Sequence, residues 1–69
     1  MDEQWEAVYR CSAAYKAEIL KAILEENEIP GVVVNKKDSS YLFGEVELYV
    51  KQEDVLNAKQ IINRFEADE

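Results

Sequence analysis

The sequence predicts an α+β fold: a truncated ferredoxin-like β-α-β-β-α unit, with three strands in the order 1-3-2 and two helices on one face of the sheet. Three observations predict it. The hydrophobic period is first two, then about 3.6, then two in two successive stretches, and finally about 3.6. Each helical stretch carries one apolar stripe, so both helices cover the same face of one sheet. A right-handed crossover between the first two strands leaves a gap, which the third strand fills antiparallel to both.

The first half of the chain predicts a strand and a helix. Residues 5–11 alternate, and the more apolar set is expected to face the helices: Trp5, Ala7, Tyr9 and Cys11. Ser12 is expected to cap a helix that runs from residue 13 to about 27, because its hydroxyl can accept a bond from an unpaired amide. Asn27 suits the left-handed residue that ends a helix, and Pro30 prevents continuation.

The second half predicts two strands and the closing helix. Residues 31–35 include three consecutive valines, and residues 45–51 alternate with Val46, Leu48 and Val50 directed to the core. A helix from about residue 53 to 65 has an apolar stripe made of Val55, Ala58, Ile61, Ile62 and Phe65. The unit is expected to form one domain over residues 1–69, with an ordered core from about 5 to 65.

Composition and charge narrow the classes of function. The net charge of −7 disfavours nucleic-acid binding, because phosphate backbones repel an acidic surface. No apolar run is long enough to cross a membrane, the N-terminus is acidic where a signal peptide would be basic, and the only cysteine is unpaired. We therefore expect a cytoplasmic protein that binds neither nucleic acid nor membrane.

The residues that could carry chemistry are few. Cys11 is the one thiol, the chain has no histidine to act as its base, and the ordinary ligand set of a zinc site is missing. Its fifteen acidic residues are expected to form solvated faces. We therefore predict no catalytic residue, cofactor or metal. An enzyme that depends on Cys11 is the least favoured hypothesis.

Two surfaces are candidates for binding a partner. The loop residues Tyr41, Leu42 and Phe43 either form a partner-binding patch or extend the strands and pack on the end of the sheet. The sheet face away from the helices is the other candidate, and it is either an interface or an ordinary solvated face. It is expected to carry Glu6, Val8, Arg10, Val33, Glu47 and Tyr49, of which Val8, Val33 and Tyr49 would form the apolar patch.

The predicted strand order also leaves the first strand at an open edge of the sheet, and an open edge favours pairing with another chain. We therefore expect a small regulatory module that acts through protein–protein contact, with a homodimer through this edge or through the sheet face. The alternative is a small-molecule sensor that uses the loop at residues 36–44, where Lys36 and Lys37 would meet an anionic ligand.

Five segments of the chain follow a known sequence pattern: Val8-Tyr9-Arg10, the helix at residues 18–27, Ile29-Pro30, the strand at 44–50 and the helix at 52–62. In these segments the sequence resembles a family of small bacterial proteins, the putative prokaryotic signal-transducing proteins, a domain of unknown function. The resemblance implies a partial ferredoxin-like fold, similar to the nitrogen-regulatory signalling proteins, and a signalling role. Glu28 departs from the family pattern, which favours glycine at this position.

Overall fold

Strands and helices follow one another in the predicted order. A computed structural model describes residues 4–35 and 46–67. These residues form the strand β1 (Trp5–Cys11), the helix α1 (Ala14–Glu26), the strands β2 (Gly31–Asn35) and β3 (Val46–Lys51), a 3₁₀ turn (Gln52–Asp54) and the helix α2 (Val55–Ala67). The predicted α+β class and the β-α-β-β-α order are therefore confirmed.

The three strands form an antiparallel sheet in the order β1-β3-β2, as predicted. The pairing of β2 with β3 is regular from Gly31 opposite Val50 to Asn35 opposite Val46. The pairing of β1 with β3 is not regular, because its register shifts between Ala7 and Tyr9. Within the described part of the chain, β1 and β2 are the two outer strands of the sheet.

The core lies between the sheet and the two helices. It is built from the apolar stripes that the sequence predicts on α1, α2 and β3. Partly buried side chains that pack against the core include Val8, Val33, Ile61 and Phe65. Burying one leucine or valine side chain stabilises the fold by about 1.5–3 kcal/mol. The buried cluster consists of Leu20, Leu24, Ile29, Leu48, Val50, Ala58 and Ile62.

Both ends of α1 differ from the prediction. The N-cap is Ala13, not Ser12, and no side chain caps the helix. At the other end Asn27 has φ −98°, and Glu28 is the left-handed residue, with φ 64°. The amide of Ile29 donates to the carbonyl of Leu24 over 2.9 Å, and the amide of Glu28 donates to that of Glu25 over 3.0 Å. This pair of bonds is a Schellman motif with its left-handed residue one position later than predicted.

The register shift in β1 is a β-bulge at Val8. Ala7 is opposite Tyr49 and Tyr9 is opposite Leu48, so Val8 is an extra residue on its strand. Val8 and Tyr9 both pack against the core as a result. The residues before Val8 therefore point to the opposite sides of the sheet from those that strict alternation predicts. The prediction that Trp5 and Ala7 face the helices is therefore wrong, whereas Cys11, opposite the buried Val46, lies on the predicted side.

Candidate partner-binding face

The sheet face that points away from the helices, called the open face here, is the candidate site. Cross-strand pairing defines its members, because residues directly opposite each other share a face. One row across the sheet is Ala7–Tyr49–Val32, and the next is Arg10–Glu47–Val34. Trp5 pairs with Lys51 at the end of the sheet beyond Tyr49. The open face thus consists of Trp5, Ala7, Arg10, Val32, Val34, Glu47, Tyr49 and Lys51.

An apolar groove of about 260 Å³ lies on the open face. It is lined by Trp5, Val32, Val34 and Tyr49, which come from all three strands. Trp5 is 38% exposed and Val32 is 43% exposed, although both are large hydrophobic residues. Exposed apolar side chains that converge in one depression are typical of a binding surface rather than of a solvated sheet face.

Glu47 organises the centre of the open face. Its side chain is only 6% exposed, although it lies on the face without helices. The Arg10 Nε lies 3.0 Å from its Oε2 atom, and the Tyr49 hydroxyl donates a hydrogen bond to its Oε1 atom over 2.7 Å. A buried carboxylate needs such partners, because removing a charge from water is costly unless it is paired and hydrogen-bonded. These bonds orient Tyr49, which is also a wall of the groove.

The open face differs in charge from the remainder of the structure. Arg10 and Lys51 against Glu47 give it a net charge of +1. The other described residues carry eight carboxylates against four cationic side chains, which is a net charge of −4. The acidic residues that the structure describes are therefore concentrated away from the groove.

The predicted membership of the open face is only partly correct. Arg10, Glu47 and Tyr49 lie where the alternation places them. Val8 and Val33 do not, because both pack against the core: Val8 through the bulge, and Val33 because it pairs with Leu48. Glu6 pairs with Val50 and also lies on the helix side. The apolar patch is instead formed by Trp5, Val32 and Val34 with Tyr49, and only Tyr49 was predicted to belong to it.

The second predicted surface lies outside the described residues. Tyr41, Leu42 and Phe43 belong to residues 36–45, and so do Lys36 and Lys37 of the proposed sensor loop. Their roles as partner-binding or ligand-binding residues stay predictions.

Among the described residues, the remaining thiol, carboxylate and cationic groups do not form a second site with a recognisable ligand. The Cys11 thiol is half-buried and donates to the carbonyl oxygen of Ala13 over 3.0 Å. In the part of the chain that the structure describes, no group of three acidic, cysteine or histidine side chains is placed to hold a metal ion. A depression of about 430 Å³ where α1 ends against α2 is larger than the groove. It is lined by carboxylates, amides and the Arg64 guanidinium, and most of these groups are exposed to solvent. Such a mixed lining does not indicate a particular class of ligand.

Over residues 4–35 and 46–67, neither helix has the length and apolar character needed to cross a membrane.

Comparison with curated proteins and with solved structures gave no match. Comparison with family models did. The model of the family described as "Putative prokaryotic signal transducing protein" matches residues 5–66, nearly the whole length of the 69-residue sequence. The chain belongs to this family.

Proposed function

We propose that this protein is a non-enzymatic signal-transducing module that acts by binding another protein on its open face. The observation that carries the proposal is the apolar groove, in which Trp5 and Val32 remain substantially exposed. Burying such side chains against a partner contributes about 25 cal/mol for each Å² removed from water. Aromatic residues at the centre of a contact are also the type that most often dominates binding.

The family description supports a signalling role, and the chemistry of Cys11 fits a structural role. Its thiol donates to a backbone carbonyl next to the start of α1, which suits a small side chain packed at the end of a strand. The proposed activity therefore depends on the open face and does not need turnover at Cys11.

The charge of the open face indicates what kind of partner segment it fits. An apolar segment can fill the groove, and acidic side chains beside that segment would meet Lys51 and Arg10, whose side chain is 60% exposed. Rim charges of opposite sign mainly raise the association rate and the specificity of a contact. We therefore propose an apolar partner segment flanked by acidic residues.

The experiment compares two matched variants. Trp5→Asp places a carboxylate in the groove, and Leu56→Asp makes the same kind of change at a residue of α2 that is 77% exposed. Each immobilised variant is incubated with an extract of the source bacterium, and the retained proteins are quantified by mass spectrometry. We expect at least one protein that wild type and Leu56→Asp retain and Trp5→Asp loses. With that protein purified, Trp5→Asp should weaken binding at least tenfold.

Urea unfolding of both variants provides the control for folding. If the folded Trp5→Asp and Leu56→Asp variants retain the same proteins as wild type, the open face is not the contact surface and the proposal is wrong.

A further inference from the structure

We propose that two copies of this chain pair antiparallel through the outer edge of β2, forming a six-stranded sheet in which their two grooves join into one. The pairing itself is independent of the proposed function. Only the use of the joined groove by a partner rests on that function.

The two outer strands differ in how well they can accept another strand. β1 carries the bulge at Val8, and its charged residues Glu6 and Arg10 flank that bulge. Bulges and charges are devices that keep edge strands from pairing. β2 has neither, since its sequence is Gly-Val-Val-Val-Asn and all five residues follow a regular register with β3. The edge of β2 is thus the better template, although the sequence predicted pairing through the edge of β1 or through the sheet face.

Charge also favours β2 when the partner is a second copy. Two chains that each carry −7 repel each other, so a stable contact between them needs an edge without acidic residues. β2 contains no charged residue. Lys21 of α1 lies beside Gly31 of β2, because a Cβ atom built on this glycine would be 3.6 Å from the Lys21 Cγ. Lys21 also forms an i,i+4 ion pair with Glu25, with 3.8 Å between Nζ and Oε2. A cationic and an anionic side chain therefore lie near β2, rather than anionic side chains alone.

The geometry of the pairing follows from symmetry. A two-fold axis at Val33 places Val32 opposite the partner subunit's Val34, and the reverse, on the open face. Directly opposed side chains in an antiparallel pair have Cβ atoms about 4.5–5.5 Å apart. Val32, which is 43% exposed, would gain an apolar neighbour, and the two grooves would meet because Val32 and Val34 line each of them.

The size of the open face supports the same arrangement. Three strands about 4.8 Å apart and about six residues long cover roughly 300 Å². A specific protein contact buries about 800 Å² on each partner, so one open face is small for this purpose. Joining two of them roughly doubles the continuous surface. This advantage of pairing rests on the proposed function, whereas the regular edge and the charge of β2 favour pairing without it.

The test uses charge complementation in the proposed register. Val32→Lys/Val34→Lys places cations opposite cations in the antiparallel pair, whereas Val32→Lys/Val34→Glu places opposite charges in both cross-strand pairs. Sedimentation equilibrium and native mass spectrometry measure association of the purified protein alone, over micromolar to sub-millimolar concentrations. We expect wild type to dimerise, the Lys/Lys variant to weaken dimerisation at least tenfold, and the Lys/Glu variant to recover most of it.

Hydrogen exchange of the wild-type protein tests the pairing even if the Lys/Lys variant does not fold. Hydrogen exchange followed by NMR should show amides of β2 becoming more protected as the protein concentration rises, with amides of β1 unchanged. A monomer throughout the concentration range, equal association of the Lys/Lys and Lys/Glu variants, or concentration-dependent protection confined to β1 would overturn the inference. These measurements use the purified protein without a binding partner, so a negative result does not contradict the proposed function. The capture experiment with Trp5→Asp tests that function separately.

Discussion

At the scale of single residues, Glu28 is the one described non-glycine residue with a positive φ, at 64°. A side chain in the left-handed region costs roughly 1–2 kcal/mol, because its Cβ crowds the following carbonyl. The conformation persists because the Schellman bonds and the burial of Ile29 hold it in place. Glu28 also adds negative charge near the negative end of α1, whose last turn contains no basic residue.

Glu28→Gly should therefore raise the free energy of unfolding by about 1 kcal/mol, since relief of strain exceeds the entropy that glycine gains in the unfolded chain. Urea unfolding measures this. Glu28→Gln removes the charge and keeps the strained side chain, so it should recover only a few tenths of a kcal/mol. Glu26→Gly changes the last residue of α1, whose φ is not positive, and should destabilise by about 0.5–1 kcal/mol. A loss of stability in Glu28→Gly as large as that in Glu26→Gly would contradict the strain argument.

The sequence could not indicate that Glu28 rather than Asn27 adopts this conformation. Asparagine enters the left-handed region more readily than glutamate, so local propensity favours the earlier position. The left-handed turn instead comes at Glu28, two residues after the last residue of α1, where it brings Ile29 into the core. Tertiary packing has overridden a local preference of about 1 kcal/mol.

At the scale of elements, α1 begins without a side-chain cap. Ala13 has extended dihedrals, φ −110° and ψ 117°, as an N-cap residue should, but it has no side-chain acceptor for the first amides of the helix. Its carbonyl accepts from the amide of Lys16 over 3.2 Å. The first turn of α1 also contains no acidic residue.

Ala13→Ser should therefore stabilise the protein by about 1 kcal/mol, because the new hydroxyl can accept a hydrogen bond from an amide of the first turn. Thermal and urea unfolding measure the change. Ser12→Ala is the matched control, and we expect it to alter stability by less than about 0.5 kcal/mol, as for an ordinary surface substitution. If Ser12→Ala costs as much as Ala13→Ser gains, Ser12 is the cap in solution.

The strands show why the fold was easier to predict than the site. β3 alternates between apolar and polar residues, so its register could be read directly, and Val46, Leu48 and Val50 are buried as expected. In β2 the three valines are identical, so the pattern contains no information on which of them faces the core. In β1 strict alternation favours one set of residues, and the bulge that reverses it leaves no mark in the pattern, because Ala7, Val8 and Tyr9 are all apolar. The groove depends on both strands, which is why Trp5, Val32 and Val34 were missed.

At the scale of the whole molecule, charge is distributed unevenly between the two layers. The open face carries +1 and the other described residues carry −4, so most of the described carboxylates lie on the helical side and along the rim. Like charges on a compact surface repel one another and oppose folding, and salt screens this repulsion. An acidic helical layer also leaves the groove as the surface where an apolar contact meets least electrostatic opposition.

Screening should therefore stabilise this protein. Between about 0.01 M and about 0.15 M NaCl the Debye length falls from about 30 Å to about 8 Å, so charges farther apart than this are largely screened at the higher salt concentration. We expect the free energy of unfolding, measured in urea at fixed protein concentration, to rise by on the order of 1 kcal/mol over this range. The double variant Glu26→Gln/Glu66→Gln removes two exposed carboxylates from the helical layer and should respond less to salt. A stability that falls as salt rises would mean that attractive pairs such as Arg10–Glu47 outweigh the net repulsion, and the charge of −7 would then not be what limits the fold.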